Sequence, residues 1–180
     1  MDDEYSLSVI SGRMLDGTYA VVVEVGNDYS ARMPPAVATE YALTLVKAAE
    51  RAEYDEAVFR QLMEVLGRHS DREGDPAMAA AMMVRSLRDA RDPLPRDGFA
   101  LYFEPALGAA TKAGFVDVTQ PDGRQLGGWA LPYCREHATD ILRALEVSAL
   151  DDRYRAALLD MGLEDDRVAT VVDDLSRYRP

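Results

Sequence analysis

Residues 131–142, LPYCREHATDIL, gather the side chains best suited to chemistry in this chain of 180 residues. They hold its only cysteine, Cys134, and one of its two histidines, His137, just after its only tryptophan, Trp129. Residues three apart on a helix are neighbours, so the imidazole of His137 could draw the proton from Cys134 and leave a nucleophilic thiolate. Such a nucleophile needs exposure and a lowered pKa, and a helix N-terminus would help lower it. The same stretch also reads as a helix opened by Pro132, with Cys134, Ala138, Ile141, Leu142 and Leu145 on one apolar face. A thiol on that face behaves as a small buried hydrophobe. No third group that could orient His137 follows nearby, so the expectation is a core cysteine and no catalytic residue. A small enzyme using Cys134 with His137 is the competing class.

The other polar clusters suit structure better than catalysis. Asp71–Asp75 (DREGD) spaces its acids like a calcium loop, but Met82 occupies the position of the closing bidentate glutamate. His69–Asp71 (HSD) holds triad residue types as chain neighbours, whereas triads are assembled in space. Gly123–Gly128 (GRQLGG) joins two expected strands, and phosphate-binding loops open helices. Leu150–Asp152 and Glu164–Asp166 place acids where helix starts would use them to satisfy free amides. One cysteine and two histidines cannot build an ordinary zinc site, and one cysteine forms no internal disulfide. Neither metal nor cofactor is expected.

The net charge of −12 argues against nucleic acid as a partner, because phosphate backbones are bound through lysine and arginine. An acidic mimic of nucleic acid is the reading this charge leaves open, provided carboxylates line one face. The longest uninterrupted apolar run, Ala77–Val84, is far short of the roughly 18 residues of a membrane span. The acidic opening MDDEYSLS is unlike a signal peptide. A reducing cytoplasm is the expected compartment. Lys47 and Lys112 are the only lysines among 20 basic residues, a codon bias of high-GC bacteria and their phages.

Apolar alternation and turn residues outline the elements that position these groups. Residues 5–14 and 18–25 form a hairpin about Asp16-Gly17, followed by a turn at Gly26–Asp28 and a short strand. Pro34-Pro35 opens a helix whose apolar stripe runs Ala38, Tyr41, Ala42, Leu45, Ala49 and Ala52. The stripe then turns toward Phe59, Leu62, Met63 and Leu66, which predicts a break near Glu53–Asp55 and an end at Gly67. Asp75-Pro76 caps another helix reaching about Arg91. Residues 99–131 repeat the three strands. A 97-residue shift sets Gly17 on Gly114, Gly26 on Gly123, Pro35 on Pro132 and Leu45 on Leu142, which suggests a tandem duplication. The expected fold is α+β, with antiparallel β-meanders and packed helices. Each half, 1–95 and 96–180, is a βββ-ααα unit, and the two are related by a pseudo-twofold axis. Strands of both halves form one sheet in a compact unit with a shared core. This plan resembles that of duplicated sheet-and-helix bacterial secretion chaperones, a likeness of architecture with no motif behind it.

The helix from Pro76 carries more apolar surface than a core stripe needs. Pro76, Ala79, Ala80, Met83, Val84, Leu87 and Ala90 make the expected buried face. Met78 and Met82, with Arg85, fall at i, i+4 and i+7 on another face. Either both faces are sandwiched, or the ridge of Met78, Met82 and Arg85 meets a partner. The functional expectation is a non-enzymatic protein-binding protein: an adaptor, chaperone, inhibitor or immunity factor that contacts another protein or a second copy.

Overall fold

Leu15-Asp16-Gly17 closes the first hairpin as a three-residue loop. A computed structural model describes residues 7–25, 29–68, 75–91, 103–104, 115–119 and 125–177. Strand β1 (Leu7–Arg13) turns into β2 (Tyr19–Val25), which pairs with β3 (Tyr29–Met33); both pairings are antiparallel. The Gly17 amide bonds the Met14 carbonyl, and the Met14 amide bonds that of Thr18. Gly17 has φ 85°, the left-handed third position of a type I turn with a bulge, which glycine fills without steric cost. Asp16 accepts from the amide and hydroxyl of Thr18, and these bonds, the hydroxyl's first, hold its carboxyl below the usual range. The other expected positive-φ positions, Gly26, Gly114 and Gly123, lie outside the described residues. Within β2 the run Tyr19–Val23 is buried at every position, as a central strand covered on both faces requires.

Helix α1 (Pro35–Arg68) is continuous, and the break expected near Glu53–Asp55 is absent. The apolar seam does not turn. It proceeds by alternate steps of four and three through Ala38, Ala42, Leu45, Ala49, Ala52, Glu56, Phe59, Met63 and Leu66, the spacing that keeps one face in register. Acids at Asp55 and Glu56 hide that continuity, and Asp55 is itself buried. No glycine or proline interrupts the helix before Gly67. Helix α2 (Pro76–Arg91) follows, with the Asp75 carboxylate accepting from the Ala77 amide, an N-cap of the expected kind.

Strands β4 (Phe103–Glu104), β5 (Phe115–Thr119) and β6 (Gln125–Ala130) form a second antiparallel sheet. The strands therefore make two three-stranded sheets, not one sheet drawn from both halves, because each meander pairs locally through its own turns. Helix α3 (Leu131–Asp160) and helix α4 (Asp165–Arg177) complete the described elements. Each meander is followed by two helices among the described residues, not three. Leu150–Asp152 accordingly lies inside α3 and starts no helix. Gly162, at φ 84°, ends α3: its amide bonds the Leu159 carbonyl and the Leu163 amide bonds that of Leu158, a Schellman cap.

By their contacts the residues group into two compact units. One comprises residues 1–42 and 139–180, and the other residues 43–138. Each draws on a three-stranded sheet, the opening of the long helix after it, the remainder of the other long helix, and one short helix. The elements β4, β5, β6 and α3 each begin 96 residues after β1, β2, β3 and α1. Burial recurs at the same interval. Ala38, Tyr41, Ala42, Leu45, Ala48, Ala52 and Asp55 are buried in α1, and Cys134, His137, Ala138, Ile141, Ala144, Ser148 and Asp151 in α3. A shift of 97 residues instead sets buried Leu45 on Leu142, which is exposed and lies off the core stripe.

Candidate functional site

On α2 the fold uses a narrow strip. Ala80 and Val84, one turn apart, are its buried side chains among those described. Met78, Met82 and Arg85 are exposed, the methionines at 52% and 65%, so the ridge is not sandwiched. Met83 and Leu87, which spacing alone puts in the core stripe, are also exposed, at 46% and 57%. Together with half-buried Ala79 and exposed Ala90 they extend the apolar surface across about half the helix circumference. Arg85 stands at one edge of this surface.

Helix α4 holds the corresponding place after its own sheet and long helix. Its buried residues, Val168 and Val172, match Ala80 and Val84 in spacing. The positions matching Met78, Met82 and Arg85 are Asp166, Thr170 and Asp173, all exposed. A helix of this plan therefore keeps its fold with a polar outer face, and α2 departs from that pattern. No periodicity argument finds Met83 and Leu87, because both fall at core spacing. The comparison with Val171 and Leu175, half-buried and exposed on α4, is the signal that places them at the margin of the buried strip.

Cys134 lies in the core of its unit at 0% exposure, and His137 at 1%. The thiol makes a long contact of 4.0 Å to the Trp129 carbonyl, and the Trp129 ring meets His137 edge-on at 5.0 Å. Burial pushes the thiol up to about 11, the opposite of what a nucleophile needs. The two side chains are brought to the same buried helix face, where burial opposes formation of a thiolate. Beside them on the surface, Arg135 pairs with Glu53 at 2.6 Å.

The acids of α3 and α4 serve the sheet and caps of their own unit. Asp151 accepts from the Ser11 hydroxyl at 2.8 Å, and Asp152 from the Tyr19 amide at 2.9 Å. Asp165 is shared by Arg13 and Arg155, and the Arg155 guanidinium lies against Gly17, so close that a Cβ there would sit 2.6 Å from it. Tyr19 packs with Val168 and Val172 over Leu158, Leu159 and Leu163. Burial, with Asp173 and Asp151 adding to it, pushes its phenol up to about 12. The polar members of this cluster secure the hairpin to the helices.

Among the described residues no group of histidines, cysteines and acids could hold a metal ion, and no helix is long and apolar enough to cross a membrane. Comparison with protein-family models finds no match. Curated proteins and solved structures give no match either.

Proposed function

We propose that this chain is a non-enzymatic protein-binding protein whose contact surface is the outer face of α2: Met78, Met82 and Arg85, extended by Met83 and Leu87. The observation that carries this reading is the contrast between α2 and α4. Their buried strips match, but one outer face is apolar and rich in methionine while the other is polar. Flexible thioethers adapt to a partner's shape, and arginine at the edge is favoured at interfaces. The 96-residue recurrence of elements supports a tandem duplication, in which α2 and α4 began alike and α2 acquired its apolar face. The class remains that of an adaptor, chaperone, inhibitor or immunity factor acting in the cytoplasm.

The acidic-mimic alternative has less support. Glu53, Glu56, Glu64 and Asp165 are engaged by arginines of the same chain, and Asp151 and Asp152 by the sheet. Carboxylates committed in this way do not form the free row that mimicry needs.

The test is a photo-crosslinking amino acid placed at Met82 or, as control, at Thr170 of α4, in the full chain within its native cell. Crosslinks to another protein, or to a second copy, from position 82 and none from 170 support the reading. Met78→Glu should then abolish the crosslink with thermal stability kept. Equal crosslinking from both positions, or none from 82, sinks it.

A further inference from the structure

Sulfur is unevenly placed in this chain. Of its eight methionines, Met78, Met82 and Met83 cluster on α2, and all three are exposed. Met33 is buried, Met14 and Met63 are half-buried, and Cys134 is sealed in its core. Met161, at 75%, is the other exposed thioether among the described residues, and it lies beyond the end of α3. The positions of α4 that match the three, Asp166, Thr170 and Val171, carry no sulfur.

A thioether is oxidised where an oxidant can reach it. A hydroperoxide transfers one oxygen atom: the S–O bond forms as the O–O bond breaks, sulfur gives up two electrons, and the other peroxide oxygen leaves as water. The sulfoxide that results is polar, with an oxygen that accepts hydrogen bonds, where the side chain had been apolar and adaptable. In a core this change disrupts packing. On α2 it falls outside the strip of Ala80 and Val84 that seats the helix, and Asp166 and Thr170 occupy the same places on α4 with the fold kept. The cost falls instead on anything that covers the face, because a sulfoxide pressed against apolar groups loses its water and gains no donor.

We propose that Met78, Met82 and Met83 form a reversible oxidation site, through which hydroperoxides switch off the α2 contact while the fold stays intact. The contact is the reading given above, and the switch rests on it; the reactivity of the three sulfurs does not. Oxidation acts on the free chain, since a bound partner would cover the thioethers. Reversal falls to methionine sulfoxide reductases, one for each sulfoxide epimer. There the sulfoxide oxygen leaves as water while a dithiol is oxidised to a disulfide. Cys134 takes no part, because at 0% exposure its sulfur is closed to the oxidant.

The test uses the full chain with a photo-crosslinking residue at Ser86, which is exposed one turn beyond Met82. The purified chain is partly oxidised with hydrogen peroxide, then crosslinked in lysate of its native cell. Mass spectrometry of peptides compares sulfoxide at each methionine in captured and uncaptured chain. The expected result is a depletion of about tenfold or more at Met78, Met82 and Met83 in the captured fraction, the effect of one unsatisfied polar group on an equilibrium. Sulfoxide at Met161 should be equal in both fractions. Chain oxidised at the exposed methionines alone should melt within about 2 °C of untreated chain, and reductase treatment should restore capture. Equal sulfoxide at the three positions in both fractions overturns the switch and leaves the contact standing. A larger fall in the melt overturns the switch too, as does oxidation of Met33 as fast as that of the α2 methionines. Untreated chain that crosslinks no better from position 86 than from position 170 overturns the contact, and the switch with it.

Discussion

Cys134 should be almost inert to thiol reagents in the folded chain, and the size of the effect follows from two numbers. At about pH 8, a thiol held at about 11 is roughly 0.1% thiolate, against roughly 24% for an ordinary cysteine near 8.5. Ionisation alone therefore slows attack by about 240-fold. At 0% exposure the reagent has a second route only through local opening. An opening that costs about 3 kcal/mol slows labelling by about 150-fold, even though the opened thiol regains its ordinary pKa. Either route predicts a native rate at least two orders of magnitude below that of the chain in guanidinium. The assay is the release of chromophore from Ellman's reagent, native against denatured, across about pH 7 to 10. A native rate within tenfold of the denatured one, or a midpoint below about pH 8 that moves on His137→Ala, would refute the core placement and restore the dyad.

Three further outcomes are expected. Burial raises Cys134 from the ordinary thiol range to about 11 in the folded state, so the unfolded chain gives up this proton first. The resulting stability is intact below about pH 9 and declines by about 2–3 kcal/mol as the pH rises toward 11. Urea titrations should show that decline diminished in Cys134→Ala. Gly17→Ala should cost about 1–3 kcal/mol, the left-handed penalty plus displacement of Arg155 from Asp165. Its cost should fall in an Arg155→Ala background, and equal costs in both would remove the contact from the account. Met82→Glu should change stability by less than about 0.5 kcal/mol, because that side chain is exposed. Val84→Glu, two residues on and in the buried strip, should cost several kcal/mol. Thermal melts showing equal losses would refute the assignment of faces on α2.

The elements were legible wherever backbone geometry dictates residue type. Gly17 marks the loop, Pro35 and Asp75-Pro76 mark helix starts, and the run Tyr19–Val23 marks a central strand. Cys134 was legible as core because its neighbours at Ala138 and Ile141 keep the stripe. The continuity of α1 was not, because Asp55 and Glu56 stand in the seam and look like solvent-facing acids. Asp55 is buried nonetheless, a choice made by tertiary contacts that no local pattern records. Met83, Leu87 and Leu142 failed for the complementary reason. Each has core spacing, but a short helix resting on Ala80 and Val84, or a long one seated on Ala138 and Ile141, buries a strip narrower than the apolar stripe it carries.

Recurrence separates what the fold demands from what it merely tolerates. Asp55 and Asp151 are buried at matching places in α1 and α3, and Asp151 is held there by Ser11. An acid that the plan buries twice is part of the plan, so neither carboxylate is a site on the strength of its burial alone. The same reasoning applies to His137, which stands where α1 has Tyr41: a large side chain with a polar tip is wanted there, and an imidazole is one way to supply it. The outer faces of α2 and α4 work in the opposite sense. There the plan is satisfied by Asp166 and Thr170 as readily as by Met78 and Met82, so folding imposes no choice. Exposed apolar surface that folding does not require carries a cost in solubility, and that cost is the reason for proposing a partner that covers it.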